Sequence, residues 1–425
     1  MTQALYNLLI HLLTPVFLLR LLWRSRRNPA YRQRWGERLG FPEPPRDRRA
    51  HLWVHAVSVG EVVAATALIR AWRERHPEQP VLVTTTTPTG ADEVVRRLGD
   101  AVIHRYLPFD LPGAVGRFLK RMPVDRLLVM ETELWPNLYR ACHAHGIPIL
   151  LVNARLSPRS FRGYQRLRPL VQRTLGWLEG VAARGPEDAD RFVALGALPD
   201  RVRVAGNIKY DLTLSDALLN QARALRDTLG TRPVWIAAST HPGEDEQVLK
   251  AHAFVRRALP DALLILVPRH PERFEKVAHL CREAGWETAR RSMGGVPDGT
   301  QAVWLGDSMG ELLMLYGVAD VAFVGGSLVP TGGHNPLEPV AHGVPVVTGP
   351  QVFNFTEVFA ALSGVGGVCE VEDADALGQA VVQLLESKKD RDALSAAATK
   401  VLNSNRGAVA RVLNWAEAMA LRPRS

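Results

Sequence analysis

Apolar residues recur along most of the chain in short, nearly continuous runs, separated by stretches with helical spacing. Five runs in the first half have the composition of buried strands: 52–58, 81–87, 126–131, 148–154 and 178–184. Five more follow in the second half: 234–240, 262–268, 302–307, 320–326 and 345–349. Such strands, alternating with helices as at 61–75 and 135–145, are typical of parallel sheets covered on both faces. We therefore predict an α/β protein with two Rossmann-like halves that face a cleft and join near residues 207–215.

The N-terminal segment departs from this pattern, because residues 4–23 are almost uniformly apolar. A helix of roughly 20 such residues can span a bilayer. No basic residue precedes the run, and a basic flank follows it: Arg24, Arg26 and Arg27. By the positive-inside rule this asymmetry places the bulk of the chain on the cytoplasmic side. No small-residue cleavage site follows, so we expect a retained membrane anchor.

Polar residues within the same segment leave its mode of insertion open. Asn7, His11 and Thr14 fall on one helical stripe, and Arg20 interrupts the apolar run. An amphipathic helix lying in the plane of the interface has the same features. A spanning helix and an interfacial helix are equally compatible with the sequence.

The composition fits a globular protein of two or three domains, with 425 residues, 47% of them apolar and 22% charged. The three cysteines are far apart, which argues against a disulfide framework and favours a reducing compartment. The formal charge of +9 is unevenly distributed, since residues 1–49 hold ten arginines against three acids and the remainder carries only +2. We therefore expect the basic arm to face membrane lipid, and we do not expect nucleic acid as a partner.

Polar sequence follows four strands of the second half. The segments are 239–243, 268–271, 306–312 and 325–338. Parallel strands all end at one edge of their sheet, where ligands bind. Pro242, Pro271 and Pro336 resemble first helical residues, and Asn335 resembles a helix N-cap that would offer backbone N–H groups to a phosphate. Helix capping alone explains any one of these segments, but four on one rim favour a nucleotide pocket.

A metal site is not expected in this half. Its histidines, His241, His270 and His334, are isolated along the chain, and the H-E-x-x-H motif is absent from the sequence. We expect Arg269, Lys209 and helix ends to meet phosphate charge instead.

The first half carries acidic residues at the corresponding edge. Ser58-x-x-Glu61 reads as a capping box in front of an apolar helix, and also as a general base held at a helix N-terminus. Glu131 and Glu133 form a pair after a strand, and side-chain alternation would point them in different directions. From these residues alone, the capping box is the preferred interpretation of Glu61.

Eight motifs then carry a resemblance to a known family, the 3-deoxy-D-manno-octulosonic acid (Kdo) transferases of the lipid A pathway. In chain order they are HAVSVGE (55–61), ETELWPN (131–137), NARLS (153–157), GNIKYD (206–211), STHPGEDE (239–246), VPRHPERF (267–274), GDSMGELL (306–313) and GGHNPLEPVAHGVPVVTGP (332–350). The resemblance runs from about residue 30 to 360. Ser308 stands where relatives often have threonine, and the hydroxyl is kept.

The resemblance implies a GT-B glycosyltransferase with CMP-Kdo as donor and the tetraacylated lipid A precursor as acceptor, anchored at the cytoplasmic side of the inner membrane. It implies a membrane anchor at 1–30, an acceptor-binding domain at 31–206 and a donor-binding domain with the C-terminal helices at 207–425. It makes Glu61 the proton acceptor of an inverting transfer, with Glu131 and Lys209 stabilising the transition state and no cofactor. The residues it assigns to CMP are Arg269, His270, Gly310, Glu311, Leu312, Asn335, Pro336, Leu337 and Glu338.

Two other functions remain compatible with parts of the sequence. One is a GT-B transferase that uses a UDP-sugar and a different membrane lipid acceptor. The other is a membrane-tethered basic adaptor that binds nucleic acid or anionic lipid.

Overall fold

The computed structural model describes residues 2–26, 28–45 and 50–419, so Arg27 of the predicted basic flank lies outside the described residues. The chain divides into two units. The first comprises residues 1–211 and 405–425, and the second comprises residues 212–404. Each unit contains a seven-stranded sheet in which every pair of neighbouring strands is parallel.

The first unit has the strand order β3-β2-β1-β4-β5-β6-β7. Its strands are β1 (Ala50–His55), β2 (Val81–Thr85), β3 (Ile103–Tyr106), β4 (Val124–Met130), β5 (Ile149–Ala154), β6 (Gly180–Ala183) and β7 (Val202–Val204). Its first nine helices are α1 (Gln3–Arg24), α2 (Trp35–Arg38), α3 (Val59–Arg75), α4 (Pro88–Leu98), α5 (Pro112–Arg121), α6 (Pro136–Ala144), α7 (Pro158–Gln165), α8 (Arg168–Gly176) and α9 (Pro186–Leu195).

The second unit has the strand order β10-β11-β9-β8-β12-β13-β14, which differs from the first because its fourth strand, β11, lies between β9 and β10. Its strands are β8 (Val234–Thr240), β9 (Leu263–Pro268), β10 (Thr288–Arg290), β11 (Val303–Leu305), β12 (Val321–Val324), β13 (Val346–Thr348) and β14 (Cys369–Glu370). Its helices are α10 (Asp216–Thr228), α11 (Asp245–Ala258), α12 (Phe274–Glu283), α13 (Leu312–Tyr316), α14 (Leu337–Ala341), α15 (Thr356–Ser363), α16 (Ala374–Glu386) and α17 (Lys388–Asn405).

The predicted α/β fold is confirmed, and each of the ten predicted apolar runs overlaps a strand. In each unit two clusters of buried apolar residues cover the two faces of the sheet, which is why its central strands read as continuous apolar runs. The order of each sheet reverses at its centre, between β1 and β4 and between β8 and β12. Such reversals create the crevice in which doubly wound sheets bind ligands.

The last helix corrects one expectation about the domains. Helix α18 (Ala408–Ala418) packs in the first unit, although the sequence placed all C-terminal helices in the second. Its apolar residues Val412, Leu413 and Ala416 join the buried cluster that covers one face of the first sheet. The Asp211 carboxylate accepts the backbone N–H groups of Gly407 and Val409, which fixes the start of the helix. The division at 211/212 therefore falls after the predicted boundary at 206/207.

Replacement of Gly180 tests this placement of α18. A Cβ on Gly180 of β6 would lie 2.2 Å from Cζ2 of Trp415 in α18. Gly180→Ala should therefore lower the free energy of unfolding by about 1–3 kcal/mol through overpacking. In the control Gly176→Ala the new Cβ meets no atom within 4 Å, so urea unfolding should shift by less than about 1 kcal/mol. Equal unfolding curves for the two variants would contradict the packing of α18 on β6.

Candidate active site

Three residues at the carboxyl ends of strands adopt a backbone conformation that side chains disfavour. Glu131 directly after β4, Asn153 in β5 and Ser239 in β8 have φ of 57°, 55° and 59°. Strand pairing shifts at Asn153 and at Ser239, where each strand carries a bulge. Positive φ at a residue other than glycine costs roughly 1–3 kcal/mol and concentrates at functional sites. This strain lies at the strand ends where the sequence placed its site residues.

Glu61 lies in the first turn of α3, directly after β1, and is 7% exposed. Its Oε2 accepts the Val57 N–H at 2.7 Å, and its Oε1 accepts the Ser58 hydroxyl at 3.1 Å. The predicted capping box is therefore wrong, because the Ser58 side chain donates to Glu61 and does not cap the helix. Burial, opposed by the Val57 N–H and reinforced by Glu133 and Glu131, raises the pKa of Glu61 to about 8.

Glu131 and Glu133 both lie close enough to Glu61 to raise its pKa. The positive φ at Glu131 breaks the strand, and alternation does not continue past it. Glu131 Oε1 accepts a hydrogen bond from Arg184 Nη2 at 2.6 Å. Burial and the Glu131 charge raise the pKa of Glu133 to about 7.

Lys209 lies in a one-turn 3-10 helix, Ile208–Tyr210, that is fastened to the strand ends. Asn153 Oδ1 accepts the Ile208 N–H at 3.2 Å, and the Asn153 carbonyl accepts Arg184 Nε at 3.2 Å. Since Arg184 also binds Glu131, one network positions the backbone that carries Lys209 and the Glu131 carboxylate. The motifs ETELWPN, NARLS and GNIKYD meet in this network.

A buried histidine adds a contact that the sequence did not reveal. His55, the last residue of β1, is fully buried, and its Nδ1 lies 2.9 Å from Thr84 Oγ1. Its ring packs edge-on against Trp135, with the ring centroids 6.2 Å apart. Burial lowers the pKa of His55 to about 4, so the ring is neutral at physiological pH. His55 thereby joins the HAVSVGE motif to the ETELWPN motif.

In the second unit, Glu244 organises the loops at the central reversal of the sheet. This fully buried carboxylate accepts the backbone N–H groups of Gly326, Ser327, Leu328 and His241. A Cβ on Gly325 would lie 2.8 Å from the Ala238 carbonyl oxygen, so the loop after β12 needs glycine there. The sequence marked STHPGEDE as a motif without revealing that Glu244 fastens the loop after β8 to the loop after β12.

A cluster of basic side chains surrounds this reversal. The Arg269 N–H donates to the Thr240 carbonyl at 3.0 Å, which places Arg269 and His270 beside the end of β8, and both side chains are exposed. His241 Nε2 lies 2.8 Å from His334 Nε2, and the His241 and His270 rings pack edge-on at 5.6 Å. The expectation that the three histidines are isolated is therefore wrong, because the strand ends bring them together. Burial, then Arg269, lowers the pKa of His334 to about 3.

The second group of predicted nucleotide contacts lies between β11 and α13. Arg291 makes a two-point ion pair with Glu311, and its Nη2 lies 2.6 Å from Oε1. The Ser308 hydroxyl donates to the other oxygen of Glu311, and the hydrogen bonds from Arg291 hold the Glu311 pKa below its usual range. Gly310 has a φ of 85°, and Leu312 is the first residue of α13.

The third group lies at the start of α14. Asn335 Oδ1 accepts the Leu337 N–H at 3.1 Å, and Asn335 Nδ2 lies 3.4 Å from Glu338 Oε1. The N-cap position of α14 is nevertheless Pro336, so the prediction of Asn335 as the N-cap is wrong by one residue. Pro336 precedes the helix and does not begin it. Since α14 has only five residues, we assign no helix-dipole role to it.

Of the other two prolines predicted to be first helical residues, Pro271 and Pro242, the prediction holds for one only. Pro271 begins a 3-10 helix as expected, but Pro242 lies in the turn that precedes α11. Within the described ranges, no group of three or more His, Cys, Asp or Glu residues is arranged to hold a metal ion.

Comparisons with known proteins cover nearly the whole chain. A family model described as 3-Deoxy-D-manno-octulosonic-acid transferase (kdotransferase) matches residues 33–212, and one described as Glycosyl transferases group 1 matches residues 232–401. The chain is 44% identical over 421 residues to 3-deoxy-D-manno-octulosonic acid transferase of Haemophilus influenzae, covering 97% of this chain and 98% of that protein. It is 38% identical over 434 residues to the Bordetella pertussis protein of the same name, covering 98% of this chain and 99% of that protein.

A solved structure supports the fold. The UDP-GlcNAc 2-epimerase from Neisseria meningitidis, bound to UDP-GlcNAc, is 14% identical, with a TM-score of 0.54 over 86% of this chain and 98% of that chain. At this level of identity the likeness concerns the fold alone.

Replacement of Glu61 should change how stability depends on pH. The carboxyl titrates near its ordinary pKa of 4.5 in the unfolded chain and at about 8 in the folded one, so the folded state holds the proton more tightly. Stability of the wild type is therefore lost as pH rises from 4.5 to 8. At about 1.4 kcal/mol per pKa unit, the free energy of unfolding of Glu61→Gln should rise by a few kcal/mol relative to that of the wild type over this pH range. Urea unfolding of both proteins at pH 5 and pH 8 measures these free energies. If the difference between the two proteins were the same at both pH values, a buried carboxyl with a raised pKa would be contradicted.

Proposed function

The chain belongs to the family of 3-deoxy-D-manno-octulosonic acid (Kdo) transferases, and on that premise we propose how it carries out Kdo transfer in lipopolysaccharide biosynthesis. It is a glycosyltransferase with two Rossmann-like units of the GT-B class. We propose that the donor is CMP-Kdo, bound by the second unit. The proposed acceptor is the tetraacylated lipid A precursor, bound by the first unit at the cytoplasmic face of the inner membrane.

Glu61 is the proposed general base, and the observation that carries this role is its buried carboxyl with a pKa raised to about 8. A base whose pKa lies near the working pH is ionised often enough to act and still binds the proton well. The ionised carboxylate takes the proton from a sugar hydroxyl of the acceptor as that oxygen attacks the anomeric carbon of Kdo. The bond from this carbon to the phosphate oxygen breaks on the opposite face, the electron pair leaves with CMP, and the configuration inverts.

The leaving CMP carries negative charge, and we assign its stabilisation to Arg269 and Lys209. The Arg269 backbone lies beside the end of β8, its side chain is exposed, and no carboxylate within the described ranges hydrogen bonds to the guanidinium. Guanidinium groups match phosphate oxygens through two parallel hydrogen bonds. His270, Gly310 to Leu312 and Asn335 to Glu338 hold the rest of the nucleotide in this proposal. It uses no metal ion or other cofactor, so a chelator should leave transfer unchanged.

The role of Glu131 in this proposal is to stabilise the transition state from a fixed position. Its ion pair with Arg184 holds the carboxylate in place, and the same arginine fixes the strand end that supports Lys209. Groups that are fixed before the reaction stabilise developing charge without the cost of reorganisation.

Loss of the Glu61 carboxylate should slow transfer without weakening the donor site. We expect Glu61→Gln to lower kcat by about 10²–10⁴-fold while CMP binding is kept. In the wild type, kcat/KM should rise with pH and level off above about 8, because the base acts only when ionised. Glu133→Gln is the matched control. Because the Glu133 charge raises the Glu61 pKa, this variant should shift the pH profile to lower pH and remain active. Near-normal transfer by Glu61→Gln would refute the assignment.

Nucleotide competition tests the donor against the UDP-sugar alternative. CMP should raise the Tm of the full chain, whereas UDP should raise it little. Arg269→Gln should weaken CMP binding roughly 10- to 100-fold, the usual loss for a hydrogen bond to a charged group. The control Arg282→Gln, at an exposed position of α12 in the same unit, should bind CMP normally. Stronger stabilisation by UDP than by CMP would favour the alternative donor.

A further inference from the structure

Helix α1 is fastened to the first unit at its N-terminal end through buried polar bonds. Gln3 Nε2 donates to Asn137 Oδ1 at 2.8 Å, and the Tyr6 hydroxyl donates to Asp110 Oδ2 at 2.7 Å. Gln3, Asn137 and Asp110 are all less than 8% exposed. The same Asp110 carboxylate accepts the N–H groups of Asn137 and Leu138, the second and third residues of α6. The first turns of α1 and α6 therefore share one carboxylate.

The C-terminal half of α1 contacts the same unit. The Phe17 ring stacks on Phe109, with the ring centroids 6.4 Å apart. Ser25, directly after the helix, is 3% exposed, and its hydroxyl accepts a hydrogen bond from Arg32 Nε at 2.9 Å. Gln3 and Phe17 are roughly 21 Å apart along a helix axis. One side of α1 is thus attached to a single folded unit along most of its length.

The opposite side of α1 is apolar and exposed. Nine side chains there are between 40% and 65% exposed: Leu5, Leu8, Leu9, Leu12, Leu13, Val16, Leu19, Leu22 and Trp23. This row far exceeds the isolated apolar residues that are normal on a soluble surface. Arg20 and Arg26 are exposed beside it, which matches the anionic headgroups of a cytoplasmic leaflet. A lipid surface is the partner that fits a long apolar row with arginines at its margin.

We infer that α1 lies in the plane of the membrane interface, with its exposed apolar row in the lipid and its other side locked to the first unit by Gln3, Tyr6 and Phe17. A spanning helix must place its two ends on opposite sides of a hydrocarbon core about 30 Å thick. Here Gln3, Tyr6 and Phe17 all contact the same folded unit, so α1 cannot cross the hydrocarbon core while these contacts are kept. This inference rests on the membrane localisation proposed above and is independent of the proposed chemistry.

The attachment of α1 also gives the helix a positioning role in the first unit. Asn137 ends the ETELWPN motif that begins at Glu131, and the Tyr139 hydroxyl of α6 donates to the Glu133 carbonyl. Asp110 connects α1 to Asn137 and Leu138 at the start of α6, four and five residues after Glu133. The membrane surface and the acidic residues of the first unit are therefore held in a fixed relation.

Depth measurements on the full-length protein test the inference without any transferase assay. Leu5→Cys, Leu12→Cys and Leu19→Cys, each with Cys369→Ser because Cys142 and Cys281 are buried, would carry a nitroxide label on the exposed row. The protein is added to preformed vesicles of phosphatidylethanolamine and phosphatidylglycerol. We expect the same shallow depth for all three labels, and a Thr2→Cys thiol that remains reachable by an impermeant reagent from the side of addition.

Two results would overturn the inference. In the first, Leu12 is deepest and Thr2 is protected inside the vesicle, which is the profile of a spanning helix. In the second, all three labels stay in water. Because neither measurement depends on catalysis, failure of the proposed transfer mechanism leaves this test unaffected.

Two variants with opposite expected effects distinguish the attachment of α1 to the first unit from its contact with lipid. Tyr6→Phe removes only the hydroxyl that binds Asp110, so amide exchange over residues 3–10 should quicken roughly five- to tenfold, the usual effect of one lost hydrogen bond. Vesicle binding should persist, since the apolar row is intact. Leu8→Ala should show the reverse, with normal exchange and weaker vesicle binding. Unchanged amide exchange over residues 3–10 in Tyr6→Phe would refute the attachment of α1 to the first unit.

Discussion

Because every strand of each sheet runs in the same direction, all strand ends of a unit meet at one edge. This constraint places the candidate functional side chains of the molecule. Motifs that are 70 or more residues apart, such as HAVSVGE and ETELWPN, lie together because β1 and β4 are neighbours at the reversal of the sheet. The same reversal in the second unit joins the loop after β8 to the loop after β12. Residues that follow strands must then turn sharply, and the positive φ at Glu131 and Ser239 shows where the backbone accepts strain to do so.

Buried carboxylates hold these loops, and their hydrogen-bond donors distinguish structural acids from the candidate catalytic one. Glu244 accepts four backbone N–H groups, and Asp110 accepts two together with the Tyr6 hydroxyl. Glu61 accepts only one backbone N–H and one serine hydroxyl, and two further carboxylates lie near it. A carboxylate with fewer donors and like-charged neighbours is poorly stabilised and binds a proton more readily. This arrangement suits a group that must take up a proton, whereas Glu244 and Asp110 are committed to backbone N–H groups.

The sequence predicted the interior of this fold better than its margins. The ten predicted strands lie in the sheets as expected, while β3, β7, β10 and β14 went unpredicted, and these four are the edge strands of the two sheets. They have two to four residues and are largely half-exposed, so they lack the continuous apolar run on which the prediction depends. The pairing of His241 with His334 and the bond between Arg184 and Glu131 were missed for another reason. They join positions far apart in the chain, and only the strand order brings these together.

The N-terminal helix shows most clearly why hydropathy alone is ambiguous. Its composition satisfies the length and polarity of a membrane span, and it is the only helix within the described ranges to do so. Gln3 directly precedes the apolar run and Tyr6 lies within it, yet they carry the bonds that attach the helix to the first unit. Their partners, Asp110 and Asn137, lie more than 100 residues away, so the sequence near the helix gives no sign of them. In the interfacial arrangement proposed above, these distant partners keep the segment flat against the first unit. The apolar residues alone cannot determine its orientation, because both arrangements bury them in lipid.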